Sequence, residues 1–502
     1  MTTIKTIKEQ LENFQKIVNT KEALMMNSPI NFPENTFNNS INTTRREPIP
    51  ALTGLRFFAA CFVMIAHGTI LLIKFQDWQH PATLWLSALA GIGMSLFFVE
   101  SGFVIHYNYF TKVTTEGRKG IWSFCVARIA RIYPLFFLIL LTDLLLGANG
   151  LNRISYEDQW LWYKAIPWYL SMLQSWHYQI IGNNNLIYQI GVNLPLTWSI
   201  STECFFYFAY PLIALTLVRL RKTWVTATIT VLFSLTIYFL FFEARNLYPI
   251  LDNFGVENYG EVASINKFQD SFIRWVFYFS PYSRITEFIL GCLICHIYLG
   301  ISSFPLTAIE RKFSLLIQTV AFGLLFAFYW IIFINQPPIL NGPLPLVFGL
   351  APATAFLIFC TARYNTCINK FLSFKPILLG GKISYSIYLT HFLVLHALSQ
   401  FTPSIHTFSS EIVAWIRFVF GIGIVFIISS LTYSFFEVPS RKWIRKFNIK
   451  DSLSDYSLIK IVSTFFAFII VLNLLVKILL QPQINNQVAS SLESLFSLIL
   501  SP

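Results

Sequence analysis

Eleven stretches of this chain are apolar over lengths that can cross a bilayer, and this pattern limits the possible folds more than any other feature. They lie near 51–74, 83–109, 122–147, 197–218, 223–242, 273–299, 314–334, 345–362, 378–398, 411–436 and 458–480. At ~1.5 Å of rise per residue, ~20 apolar residues cross the ~30 Å hydrocarbon layer as a helix. Backbone N–H and C=O groups in lipid must be paired within the protein, so spanning segments are helices or strands of a closed barrel. Runs of this length read as helices. The expected fold is therefore all-α, a polytopic transmembrane helical bundle of about ten core spans plus one C-terminal span. Composition agrees: 55% of the 502 residues are hydrophobic and 12% are charged, about half the charge of a soluble domain.

The net charge of +12 could point to nucleic acid, but its distribution points to a bilayer instead. With the amino terminus inside, the cytoplasmic loops hold Lys112, Arg118, Lys119, Arg219, Arg221, Lys222, Arg311, Lys312, Arg363, Lys370 and Lys375. The last such loop holds Arg441, Lys442, Arg445, Lys446 and Lys450, whereas the opposite loops hold only Arg153, Lys164, Arg245 and Lys267. Basic residues favour the cytoplasmic side, so the expected topology has the amino terminus cytoplasmic and the carboxyl terminus extracytoplasmic. Residues 1–48 are polar and lack the apolar core of a signal peptide. A short amphipathic helix is possible over Ile7–Leu24, and the rest reads as a flexible tail. Seven cysteines scattered in apolar runs give no disulfide framework. The long outer loops, 148–196 and 243–272, are aromatic and Asn-rich (Trp160, Trp162, Trp168, Trp176, Asn183 to Asn185). They read either as an interfacial aromatic belt or as a platform for a sugar.

Ionisable groups inside spans are costly and commonly line a cavity or pathway. Arg56 and His67 are eleven residues apart in the first span, which returns to within about 20° of the same face some 16 Å further along. Arg128 and Arg131 share a face at the start of the third span. They serve either as snorkelling anchors or as a paired fork for phosphates. Glu203 lies among Trp, Phe and Tyr in the outer part of the fourth span, and Glu100 is equally mid-span. Arg284 and Glu287, three apart in the sixth, are expected to satisfy one another. His391 lies mid-span in the ninth as either a packing residue or a functional one. Cys292-Leu-Ile-Cys295-His296 matches the letters of a haem-attachment motif, but it lies on an apolar helix at the expected cytoplasmic end and is rejected. No P-loop, metal-ligand spacing or nucleophile elbow is present.

Six motifs in order resemble the acyltransferase-3 family of integral membrane acyltransferases, the O-acetylases of surface polysaccharides, over roughly 50–441. They are Arg56 with His67, Phe97-Phe-Val-Glu-Ser-Gly102-Phe, and Arg128-Ile-Ala-Arg131-Ile-Tyr133-Pro134. They continue with Trp198-Ser199-Ile-Ser-Thr-Glu203-Cys-Phe-Phe-Tyr207, Gly381-Lys-Ile-Ser-Tyr385-Ser-Ile-Tyr-Leu-Thr-His391 and Glu437-Val-Pro439-Ser-Arg441. Two positions depart from the family pattern: Glu100 replaces a usually apolar residue, and Cys204 replaces a second carboxylate.

The resemblance implies an O-acyltransferase that moves an acyl group, by default acetyl, from cytosolic acyl-CoA to a hydroxyl of an extracytoplasmic carbohydrate or lipid-linked glycan. His67 and Glu203 would be catalytic, and Arg56, Arg128, Arg131 and Tyr133 would bind the acyl-CoA. Glu100, Ser199, Tyr207, Arg284, Glu287, Tyr385 and His391 would support the site or the acceptor. No bound cofactor or metal is expected, since acyl-CoA enters as co-substrate; the partners are the bilayer and a carbohydrate or glycolipid acceptor, not nucleic acid. The implied location is a bacterial inner membrane. The domains read as a tail (1–50), the acyltransferase-3-like bundle (51–441), a basic cytoplasmic linker (442–457), an additional helix (458–480) and a short extracytoplasmic tail (481–502). A second catalytic step outside would fall to another protein. The competing reading of the same buried charges is a proton-coupled transporter of a small polar or sugar-like solute, although no inverted repeat supports it.

Overall fold

The computed structural model describes residues 46–73, 81–148, 162–188, 194–267, 269–334, 347–399 and 408–446. The amino-terminal tail with Ile7–Leu24, the eleventh expected span at 458–480 and the carboxyl-terminal tail lie outside these residues. Twelve helices carry the argument. They are α1 Pro50–Gly68, α2 Pro81–Thr115, α3 Arg118–Ala148, α4 Trp198–Leu217, α5 Thr223–Glu243 and α6 Pro281–Ile301. The others are α7 Ala308–Ile334, α8 Ala351–Arg363, α9 Lys375–Lys382, α10 Ser384–Ser399, α11 Phe408–Thr432 and α12 Val438–Lys446. Among the described residues, eight helices are long and apolar enough to cross a membrane. The protein is an integral membrane protein of all-α architecture.

Two expected spans take a different form. The stretch near 378–398 is not one straight helix: α9 and α10 meet at a 70° bend, where Ser384 Oγ donates to the Gly381 carbonyl at 2.9 Å. The stretch near 345–362 becomes a 3-10 turn, Val347–Leu350, followed by the short α8. Just before the bend, the 372–381 segment is seated closely on α1. A Cβ on Gly381 would lie 2.0 Å from the Thr53 carbonyl oxygen, and one on Gly54 would lie 2.1 Å from that of Leu372.

Helix α2 is the axis of the molecule. Of its most apolar window 78% is buried, against 11% for α5, so α2 is wrapped by other helices while α5 faces outward. It packs on α1, α3, α4, α6 and α8. The α2–α6 crossing is set by two glycines. A Cβ on Gly102 would stand 2.1 Å from the Phe288 carbonyl oxygen, and one on Gly291 would stand 2.0 Å from that of Val99. Small residues allow this backbone approach, as in other membrane bundles.

Helix α1 starts at Pro50, which the first turn tolerates because its missing N–H would have no intrahelical partner. It runs on into a π-helical stretch, Thr69–Ile73, so His67 sits just before a change of helical pitch. Between the spans, residues 162–188, 244–267 and 269–271 include short helices and a two-residue antiparallel pair, Ile180–Ile181 with Asn184–Asn185. Tyr178 donates to the Asp270 carbonyl oxygen at 2.6 Å, and the Asn185 N–H donates to the Asp270 carboxylate at 2.8 Å. Burial pushes that carboxyl up, while the Asn185 N–H works in the other direction. Two described aromatic residues of this region make packing and hydrogen-bond contacts within it and with α4. The Trp168 ring lies 4.2 Å from that of His177, and Trp176 Nε1 donates to the Ser201 carbonyl at 3.0 Å.

Candidate active site

A cavity lies among α1, α2, α3, α4 and α10. Its cationic wall is made by Arg56, Arg128 and Arg131. The remaining polar lining comes from Ser101, Ser199, Glu203, Ser384, Tyr385 and Tyr388, and its apolar side includes Met94, Phe97 and Phe98. Residues from five of the six sequence motifs thus face one space, although they span more than three hundred positions of the chain.

The three arginines are not equivalent. The Arg56 guanidinium is 2.8 Å from the carboxylate of Glu100, which is 1% exposed. The unusual carboxylate of the second motif is therefore the counterion of the first motif's arginine. Arg128 has no carboxylate in that position; its guanidinium lies 4.9 Å from the centre of the Tyr109 ring and 5.7 Å from that of Tyr207, and Nη2 donates to the Tyr109 hydroxyl at 3.2 Å. Flat aromatic faces hold a guanidinium in place while leaving its edge for an anion. Glu203, which the resemblance makes catalytic, also lines this cavity. One of its oxygens accepts from Ser101 at 3.0 Å and from Tyr207 at 2.5 Å.

His67 finds a different partner. Its Nδ1 lies 2.9 Å from Nε2 of His391, and the rings stack with centroids 5.2 Å apart. The tautomers follow from the second partner. Nδ1 of His391 is 3.0 Å from the Ile387 carbonyl, and a carbonyl only accepts, so that nitrogen carries the proton. With both rings neutral, His391 Nε2 is an acceptor, Nδ1–H of His67 donates to it, and the lone pair of His67 is left on Nε2. His391 is fully buried and His67 half-buried. The pair is one ring removed from the cavity: Tyr388 lines the cavity and lies 6.0 Å from the His391 ring. Its hydroxyl is 2.6 Å from Ser199 Oγ and donates to the Leu196 carbonyl at 3.0 Å.

Other sequence candidates have structural partners. Arg284 and Glu287 face each other at 3.1 Å, both fully buried, as their spacing predicts. Tyr385 donates to the Ile132 carbonyl at 2.6 Å and Tyr133 to that of Leu170 at 3.2 Å. Glu437 of the closing motif accepts from Ser386 at 2.7 Å, which fastens α10 to the end of α11. Both ring nitrogens of His296, in the rejected haem-like motif, are engaged, one with His106 at 3.2 Å and the other with the Leu220 carbonyl at 3.0 Å. Sequence reasoning left Tyr388 and Ser101 without roles. The spacing of Tyr385, Tyr388 and His391 on one helical face was the available signal.

This constellation can be compared with known proteins. The acyltransferase domain family matches residues 49–434. The chain belongs to the acyltransferase-3 family. Among curated relatives, O-acetyltransferase OatA of Staphylococcus aureus (strain NCTC 8325 / PS 47) is 23% identical over 414 residues, covering 78% of this chain and 57% of that protein. A putative O-acetyltransferase of Staphylococcus aureus strain COL is 25% identical over 402 residues with the same coverage, 78% and 57%. The chain thus spans little more than half the length of the curated relatives it matches. No solved structure matches it. The matched region holds every one of the acyltransferase-3 motif residues discussed above except Glu437 to Arg441, which begin three positions past its end.

Proposed function

We propose that this protein is an O-acyltransferase that carries an acetyl group from acetyl-CoA to a hydroxyl on an extracytoplasmic glycan or lipid-linked sugar. The observation that carries the reading is the His67–His391 pair beside an arginine-lined cavity. Arg128 and Arg131 hold the phosphates of the donor, and Arg56, braced by Glu100, adds a third positive charge. The thioester extends past Tyr388 toward His67. There Nε2 of His67 takes the proton of the acceptor hydroxyl as its oxygen attacks the thioester carbonyl. The C–S bond breaks, and the thiolate of CoA leaves and recovers the proton from the imidazolium. His391 accepts from Nδ1–H of His67 throughout and so keeps the basic nitrogen aimed at the acceptor. Glu203, through Ser101 and Tyr207, shapes the cavity without touching the histidine.

The names of the relatives support the acetyl group and the oxygen acceptor. The charge bias of the loops supports a donor on the cytoplasmic side and an acceptor on the other. Family membership favours this reading over a proton-coupled carrier. The deciding experiment uses the purified protein in detergent with radiolabelled acetyl-CoA, and follows CoA release with and without a glycan acceptor. Turnover that disappears in His67→Ala and weakens in Arg128→Ala is expected. Full turnover by His67→Ala would overturn the assignment.

A further inference from the structure

The face that α2 turns to the cavity continues past it. Ser101, Val104 and Ile105 line the space, and the same face, followed at ~100° per residue, carries Asn108 and Lys112. Asn108 is four residues beyond Val104. Lys112 is eleven beyond Ser101 and so returns to within about 20° of it, roughly 10 Å along the axis from Ile105. On α3 the matching stripe is Ser123, Ala127 and Arg131, at spacings of four. Arg131 lines the cavity, and Lys112 Nζ donates to Ser123 Oγ at 2.8 Å, which joins the two stripes near the α2–α3 turn. Only the methyl group of Ala127 stands between Ser123 and Arg131 on this stripe. Asn108 is exposed, and Lys112 and Ser123 are half-buried. The polar trail therefore reaches the surface at the end of α2 that the loop charges assign to the cytoplasm.

Lys112 holds an uncommitted charge. Its ammonium has a neutral hydroxyl for a partner and, among the described residues, no carboxylate, whereas Arg56 is matched by Glu100. A lysine on the lipid-facing side of a span anchors to headgroups. Lys112 instead shares its face with the cavity lining, on a helix whose apolar window is 78% buried. CoA carries its negative charge in two places: a diphosphate, and a separate phosphate monoester on the ribose at the end away from the thioester. With the diphosphate on Arg128 and Arg131, as in the acetyl-transfer reading on which this rests, the adenosine end trails toward the mouth where Lys112 stands. An ammonium is a compact point charge with three donors, suited to a phosphate monoester. We infer that Lys112, held in place by Ser123, binds the ribose phosphate of the donor and is the residue by which this protein distinguishes CoA from dephospho-CoA.

Such a contact has a use. Two arginines accept a diphosphate from any nucleotide that carries one, and a cytosol-facing cavity meets many of these. A third cation set apart from the pair, along the path of the ligand, selects the nucleotide with a second anionic group at the right distance. Specificity then comes from an interaction that the competing nucleotides cannot make.

The test is isothermal titration of the full chain in detergent with CoA and with dephospho-CoA. The wild type should bind CoA about 10–100-fold more tightly, the range expected of a hydrogen bond to a charged group. Lys112→Gln should lower CoA affinity to that of dephospho-CoA and leave dephospho-CoA affinity where it is, a value that also reports an intact fold. Lys112→Arg keeps the charge and should keep most of the preference. Ser123→Asp, which gives the ammonium a carboxylate where it now has a hydroxyl, should remove the preference by an independent route. It decides alone should Lys112→Gln lose both affinities. Equal affinity of the wild type for the two ligands, or a preference that persists in Lys112→Gln or Ser123→Asp, would overturn the assignment of Lys112 and leave the acetyl-transfer reading standing. A wild type that neither binds CoA nor turns over acetyl-CoA would overturn both.

Discussion

Nδ1 of His67 and Nε2 of His391 lie 2.9 Å apart, although the residues are 324 positions apart in the chain. Because the Ile387 carbonyl fixes the other nitrogen of His391 as a donor, the contact has a direction: His67 gives its proton to His391 and keeps its lone pair at Nε2. In the proposed reaction His391 is thus a positioning residue for the base, a role that a carboxylate fills in other base-orienting arrangements.

A test of this direction compares two replacements. His391→Phe keeps the ring volume and removes the acceptor, and should lower turnover about 100-fold, within the range of general-base contributions. His391→Gln retains an acceptor oxygen and should recover part of the loss. Donor binding, measured by isothermal titration with CoA, should be unchanged in both. A matching loss of CoA affinity would indicate that the substitution disturbs the cavity rather than the base.

Arg128 and Arg131 should act on donor binding rather than on the chemical step. A hydrogen bond to a charged group contributes about 1.5–3 kcal/mol, so Arg128→Ala should weaken CoA binding roughly 10–100-fold. Arg128→Lys should recover only part of that, because an ammonium lacks the planar fork and its stacking on Tyr109. Equal CoA affinity in wild type and Arg128→Ala would remove this arginine from the donor site.

The Arg284–Glu287 pair carries a stability prediction. Both side chains are 0% exposed, so Glu287→Ala leaves a buried guanidinium without its partner and should cost about 3–5 kcal/mol. The double replacement Arg284→Met with Glu287→Leu removes both charges and should lie much nearer the wild type. Thermal unfolding in detergent, followed by loss of the monodisperse species, distinguishes them. A double variant as unstable as Glu287→Ala would indicate that the pair does more than satisfy itself.

Gly102 and Gly423 make a matched pair for the helix-crossing argument. Gly102→Ala sets a Cβ 2.1 Å from the Phe288 carbonyl oxygen, whereas nothing lies within 4 Å of a Cβ at Gly423. The first should lower thermal stability by about 1–3 kcal/mol or more through forced separation of α2 and α6. The second should be neutral or raise it by up to about 1 kcal/mol, since alanine favours the helix. Similar melting of the two variants would count against glycine contact as the determinant of the crossing.

Much of this protein was legible in the sequence because hydropathy and local spacing are one-dimensional quantities. The length of apolar runs determined the all-α bundle, since lipid admits no unpaired backbone. Three-residue spacing determined that Arg128 and Arg131 share a face and that Arg284 reaches Glu287. The six motifs, in their order, determined the family. Tertiary structure decided the partners. Glu100 faces Arg56 because α1 and α2 pack in close register, and nothing in either helix alone sets that register. Glu203 bonds Ser101 and Tyr207 rather than His67. The 70° bend between α9 and α10 brings His391 to His67; a straight helix through 378–398 has no reason to place it there. The backbone contacts at Gly54 and Gly381 are likewise a fit between distant segments, which a periodicity within one helix does not encode.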